Sequence, residues 1–146
     1  MDGRRAQTDY PPNMTECGDL SRAYVKAFND RDANKMRALL HSDVTYRVGG
    51  APLFTGIAAV EGYYKAPLAT DMRATTIRSI EQGDTVFIEN QLTGTLPDGR
   101  TYIIEQAVLH RWKDGLLLEY RNYNDPPIID GVAVTFEEFI ALLSGR

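Results

Sequence analysis

From Leu20 onward the apolar residues Leu20, Ala23, Tyr24, Ala27 and Phe28 recur at i, i+3, i+4, i+7 and i+8, the spacing of a helix with one buried face. Asn29-Asp30-Arg31 reads as a turn, and Asp32 as the N-cap of a shorter helix whose Met36, Leu39 and Leu40 share a face. The run Val44-Thr45-Tyr46-Arg47-Val48, closed by Gly49-Gly50, is β-branched and aromatic and predicts a strand at the edge of the domain. Thr55 is placed to cap a third helix with Ile57, Val60 and Tyr64 on one side. Then the period changes. Residues 72–81, 85–95, 101–112 and 116–124 are rich in Thr, Ile, Val, Leu and Tyr, and Gln82-Gly83-Asp84, Pro97-Asp98-Gly99 and Lys113-Asp114-Gly115 separate them, so they predict antiparallel strands joined by short turns. Thr135 and Glu138 form a capping box ahead of Phe136, Phe139, Ile140 and Leu143, which predicts a terminal helix packed back on the domain.

Helices first and a meander second point to one α+β domain. The polar start with Pro11-Pro12 leaves residues 1–17 as a flexible arm and 18–146 as the domain. Long strands twist, and a twisted sheet with helices on one face curls around them into a half-cone with an interior. Alternation splits 85–95 into Phe87, Glu89, Gln91 and Thr93 against Val86, Ile88, Asn90 and Leu92, but does not say which set faces inward.

Composition narrows the function classes. With 146 residues, 43% of them hydrophobic, the chain has enough material for one core. A net charge of −4 argues against a phosphate-tracking surface, so no nucleic-acid partner is expected. No apolar run approaches the roughly 20 residues of a membrane span, and the polar start lacks a secretory signal, so no membrane partner and a cytoplasmic location are expected. One cysteine, Cys17, and two histidines, His41 and His110, cannot build a thiolate or multi-histidine zinc site, so no metal is expected; the expected chemistry is also cofactor-independent. Asn13-Met14-Thr15 matches a glycosylation sequon and is read as accidental.

The order of elements, with AYVKAFNDRDANKMRALLHSDVTYRV at residues 23–48 and DGLLLEYRNYND at 114–125, resembles the nuclear transport factor 2-like superfamily over residues 18–143. Within it the chain looks most like SnoaL-like polyketide cyclases, limonene epoxide hydrolases, ketosteroid isomerases and phenazine-biosynthesis proteins. The resemblance implies a strongly curved antiparallel sheet around three N-terminal helices with a C-terminal helix. It also implies a pocket between sheet and helices, and a homodimer through the outer sheet face. It places Glu89 and Gln91, Ile104 and Gln106, and Asn122 and Asn124 inside the cone. At the positions of the epoxide hydrolase Asp-Arg-Asp trio and its supporting Tyr and Asn, this chain carries Gln91, Glu89, Asn122, Tyr46 and Val48, so only the tyrosine is kept. Tyr24 matches the oxyanion-stabilising tyrosine of ketosteroid isomerases, while Val48 and Val108 replace that family's aspartates. Asn122 replaces the phenazine proteins' glutamate.

Glu89 is the carboxylate that this placement puts in a dry hollow, where desolvation would lift its pKa toward neutrality and let it exchange protons. The expected catalytic set is Glu89, Tyr24, Tyr46, Asn122 and His110. Phe28, Tyr63, Phe87, Gln91, Ile104, Gln106, Val108 and Asn124 form the expected substrate-binding wall. The chemistry these residues suit is proton transfer beside a carbonyl, with a phenol stabilising the enolate. Such a set would serve an isomerase, cyclase or dehydratase acting on an apolar oxygenated small molecule, as in polyketide or terpenoid biosynthesis. The competing expectations are a non-catalytic ligand-binding or dimerisation module of the same fold, and an epoxide hydrolase.

Overall fold

A computed structural model describes residues 16–49 and 51–145. Helix α1 spans Glu16–Asn29, so it starts two residues inside the segment assigned to the arm; residues 1–15 and the sequon lie outside the described residues. Asp32 caps α2 (Ala33–Ala38) by accepting a hydrogen bond from the Lys35 N–H at 3.0 Å. That helix is shorter than its apolar spacing predicts. Leu40 already opens strand β1 (Leu40–Arg47), which runs four residues further back than the β-branched run. Thr55 does not cap α3 (Ile57–Leu68). It pairs with Thr45 as part of the two-residue β2 (Phe54–Thr55), and Gly56 starts the helix at φ 90, a left-handed value that glycine adopts without steric cost.

Strands β3 (Arg73–Gln82), β4 (Thr85–Thr95), β5 (Thr101–Lys113) and β6 (Leu116–Asn124) form the predicted antiparallel meander. Two short strands the periodicity does not predict, β7 (Ile128–Ile129) and β8 (Val132–Ala133), form a hairpin on the start of β5. Among the described residues the sheet runs β2-β1-β6-β5-β4-β3, with β1 parallel to β6, so β1 is second from the edge rather than the edge. Helix α4 (Phe136–Leu143) carries the predicted capping box between Thr135 and Glu138.

Register decides what the concave face shows. In the β4–β5 hairpin Thr95 pairs with Thr101 and Asn90 with Gln106, so even-numbered residues oppose even-numbered residues. Tyr102, Ile104, Gln106, Val108 and His110 are all buried on β5, and they carry Val86, Ile88 and Asn90 inward with them. The assignment of Phe87, Glu89 and Gln91 to the interior is therefore overturned. On β6 a bulge does the opposite service. The Asp114-Gly115 turn, with φ 54 and 77, pairs Trp112 with Leu117, and an irregularity then shifts the register so that Arg111 meets Glu119 and His110 meets Tyr120. Without that extra residue Glu119, Arg121 and Tyr123 would face inward instead of Tyr120, Asn122 and Asn124.

The helices close this face. Two apolar clusters fill it: a larger one joining Tyr24, Ala27, Met36, Val44, Tyr46, Val60, Ile88, Trp112 and Leu117, and a smaller one of Met72, Leu96, Tyr102, Ile104, Ile129 and Phe139. Tyr102 lies against Gly94, its partner across β4 and β5, where any Cβ would collide with the ring.

Candidate functional site

The helical spacing of Tyr24, Val25 and Phe28 aims one side of α1 at the concave face, and α2 and α3 add Met36, Tyr63, Tyr64 and Pro67. The sheet supplies Tyr46, Ala74, Asn90, Leu92, Gln106, Val108, His110 and Tyr120, with Met72 just ahead of β3. Together they enclose a cavity of about 90 Å³. None of these sixteen side chains is a carboxylate, a lysine or an arginine. The volume is well under the roughly 300 Å³ at which pockets for drug-sized ligands begin.

Two phenols meet in the wall. The Tyr24 and Tyr46 hydroxyls form a buried hydrogen bond, and Tyr46 stacks on Tyr120 with ring centroids 4.1 Å apart and planes 15° from parallel. Burial pushes both phenols well above the ordinary tyrosine pKa, so each stays a neutral O–H at physiological pH. Beside them His110 sits edge-on to Tyr24 with ring centroids 5.7 Å apart. Its Nδ1 lies 2.9 Å from Ser21 Oγ, which also accepts a hydrogen bond from Trp112 Nε1 at 2.8 Å. With the ring fully buried, desolvation lowers the His110 pKa to about 3, so the imidazole is neutral at pH 7.

The structure brings together Tyr24, Tyr46, His110, Phe28, Tyr63, Gln106 and Val108. Glu89 is not among them. Its carboxylate is on the outer face, 43% exposed and 2.6 Å from Arg78 Nε, so the dry hollow expected around it does not exist. Phe87 is 44% exposed on that face, and Gln91 Nε2 donates to Glu105 Oε1 at 2.9 Å there. Ile104 faces inward but packs in the smaller cluster, away from the cavity wall. Asn122 is buried behind the wall, where its Oδ1 accepts from the Gly49 N–H at 3.3 Å and from Asn124 Nδ2 at 3.5 Å. Sequence reasoning missed Asn90, Tyr120 and Ser21. The first two follow from parity once the register is known; the Ser21 role had no signal, because its two partners lie about ninety positions away.

Among the described residues no group of three or more His, Cys, Asp or Glu is placed to hold a metal ion, and no helix is long and apolar enough to cross a membrane.

Three helices on a curved, unclosed sheet with an internal hollow define an NTF2-like protein. Residues 21–120 match the model of the SnoaL-like domain, and the chain belongs to that family. A structure of an NTF2-like protein of unknown function from Burkholderia pseudomallei aligns with a TM-score of 0.73 at 18% identity, covering 90% of this chain and 99% of that one. A putative ketosteroid isomerase from Kribbella flavida gives 0.64 at 24% identity, over 75% of this chain and 78% of the other. A Mycobacterium tuberculosis protein solved in complex with estradiol-17β-hemisuccinate gives 0.69 at 17% identity, over 75% and 94%. No curated protein matches. At these identities the likeness is one of fold.

Proposed function

We propose that this protein binds a small, uncharged, largely apolar molecule in the cavity between helices and sheet, through an oxygen atom held at the Tyr24–Tyr46 hydroxyl pair. The observation that carries the reading is that pair, buried in the wall of a hollow lined by no ionised side chain. Buried hydroxyls that can both donate and accept a hydrogen bond suit a carbonyl or hydroxyl oxygen, and the surrounding aromatic rings suit an apolar ring. The steroid complex of the structurally similar M. tuberculosis protein is consistent with small-molecule binding on this fold. The size of the hollow directs the reading to a molecule of about one ring. The test is calorimetric or NMR titration with para-cresol. Saturable binding is expected, and Tyr46→Phe is expected to weaken it roughly tenfold, the worth of one buried hydrogen bond. Absence of binding, or an affinity indifferent to both Tyr24→Phe and Tyr46→Phe, removes the reading.

His110 favours a second reading, proton transfer at the same oxygenated molecule. Its Nδ1 is engaged by Ser21, leaving Nε2 as the ring nitrogen available to a substrate. The isomerase, cyclase or dehydratase expected from Glu89 would then rest on His110 with the two phenols, since no carboxylate lines the cavity.

The outer face carries the partner reading. Ile80 and Phe87 pair across β3 and β4 and are 66% and 44% exposed, and the exposed Tyr123 borders the same outer groove. A second copy of this chain would cover such an apolar sheet face. Sedimentation of the wild type as a dimer, and of Ile80→Glu with Phe87→Glu as a monomer of unchanged helicity, is the expected result; a monomeric wild type would exclude the dimer.

A further inference from the structure

The concave face is crossed by a belt of amides. Thr76 on β3 pairs with Asn90 on β4, Asn90 with Gln106 on β5, and Gln106 with Asn124 on β6, so four consecutive strands present a polar residue at the same level. The belt lies between the two apolar clusters, with Ile88 and Val86 on one side of it and Ile104 and Tyr102 on the other. Apolar packing alone has no use for it. Buried amides are normally paired with protein groups, because an unpaired one forfeits its bonds to water.

Here the pairing is incomplete where the belt meets the cavity. Thr76 Oγ1 donates to Asn90 Oδ1 at 3.0 Å, which leaves the Asn90 Nδ2 hydrogens over. Gln106 is 8% exposed, borders the cavity, and its amide has no hydrogen-bond partner among the described residues. Asn124 Oδ1, next along, is also buried and unpartnered. Asn90 thus brings donor N–H groups to the cavity lining and Gln106 both a donor and an acceptor, Gln106 also bordering the outer-face groove together with Asn124. From Gln106 to His110 is four residues of β5, about 13 Å at the rise of a strand. The hydroxyl pair stands beside His110, so the lining carries one polar group set near His110 and another at Gln106.

We infer that the ligand carries, at the end remote from the hydroxyl pair, an uncharged group with donor and acceptor side by side, of the carboxamide class, held by Gln106 and Asn90. The inference rests on the small-molecule reading above and adds the chemistry of the second end. A carboxylate fits poorly. It would shed its hydration with no cationic side chain in the wall to replace it. Arg31, in the turn after α1, spends its guanidinium on the Phe28 and Met72 carbonyls.

The test is titration of the full chain with para-cresol, para-hydroxybenzamide and para-hydroxybenzoate at neutral pH. The amide is expected to bind about tenfold tighter than the cresol, and the benzoate no tighter than the cresol. In Gln106→Leu the ratio of amide to cresol affinity is expected to fall to within about twofold, as only the second polar end is lost. Cresol binding with no advantage for the amide overturns the inference and leaves the hydroxyl-pair reading standing, as does an advantage that survives Gln106→Leu. Binding of the amide alone, sensitive to Gln106→Leu, upholds the inference and discards the hydroxyl pair; binding of neither discards both. Should Gln106→Leu fail to fold, the wild-type ratio still decides.

Discussion

Acidification from pH 6.5 toward pH 3 is expected to remove roughly 4 kcal/mol of folding stability through His110 alone. The folded state holds this imidazole neutral because burial lowers its pKa to about 3, whereas the unfolded chain restores an ordinary value near 6.5. Below 6.5 the unfolded state therefore binds a proton that the folded state refuses, and the equilibrium moves toward unfolding as pH falls. The contribution is fully present above 6.5 and fades down to the folded value. The rings against His110 are Tyr24, Trp112 and Tyr120, none of which changes charge in this range, so the loss has no local compensation. His110→Gln is expected to cost stability at pH 7 yet to decline less steeply, so that urea unfolding at pH 7 and at pH 4.5 separates the two proteins by about 2 to 3 kcal/mol in their response. Parallel decline would mean that the folded protein protonates His110 readily.

The helices and strands were legible because their signals are local. The α1 stripe, the Asp32 cap, the Asp114-Gly115 turn and the Thr135/Glu138 box each act within a few residues, and each stands where those residues imply. Thr55 misled because a threonine before an apolar run looks like a cap, while its pairing to Thr45 comes from a strand ten positions away. β7 and β8 were illegible for a related reason: two-residue strands have no period, and they exist because β5 offers an edge.

Faces were harder than elements. The hairpin across Pro97-Asp98-Gly99 forces like parity on β4 and β5, so placing Gln106 inside already excluded Glu89, a constraint present in the sequence once the loop length is fixed. The bulge in β6 is different. It reverses the parity that the Asp114-Gly115 turn would impose, and nothing in Leu116 to Tyr120 marks where the extra residue is absorbed. The inward placement of Asn122 and Asn124 came from family likeness, and the same likeness misplaced Glu89. With that carboxylate on the outer surface, the interior chemistry passes to phenols, amides and one neutral imidazole.

The anchor of that imidazole is the Ser21 hydroxyl, and Ser21→Ala is expected to destabilise the protein by about 3 kcal/mol. One oxygen serves two buried groups, Trp112 Nε1 and His110 Nδ1, and both come from β5 while Ser21 comes from α1. Its removal leaves both without the only partner they have among the described residues, and the cost of burying unpaired polar groups exceeds the small gain from deleting the hydroxyl. Because both losses pass through one atom they should not add. Ser21→Ala combined with Trp112→Phe is expected to cost at least about 1 kcal/mol less than the sum of the single changes. Strict additivity by urea denaturation would show that the hydroxyl does not bind Trp112 in solution. The same variant tests the site, since His110 without Ser21 loses the hydrogen bond that fixes its ring orientation, and a ligand that contacts Nε2 should then lose affinity even where the fold survives.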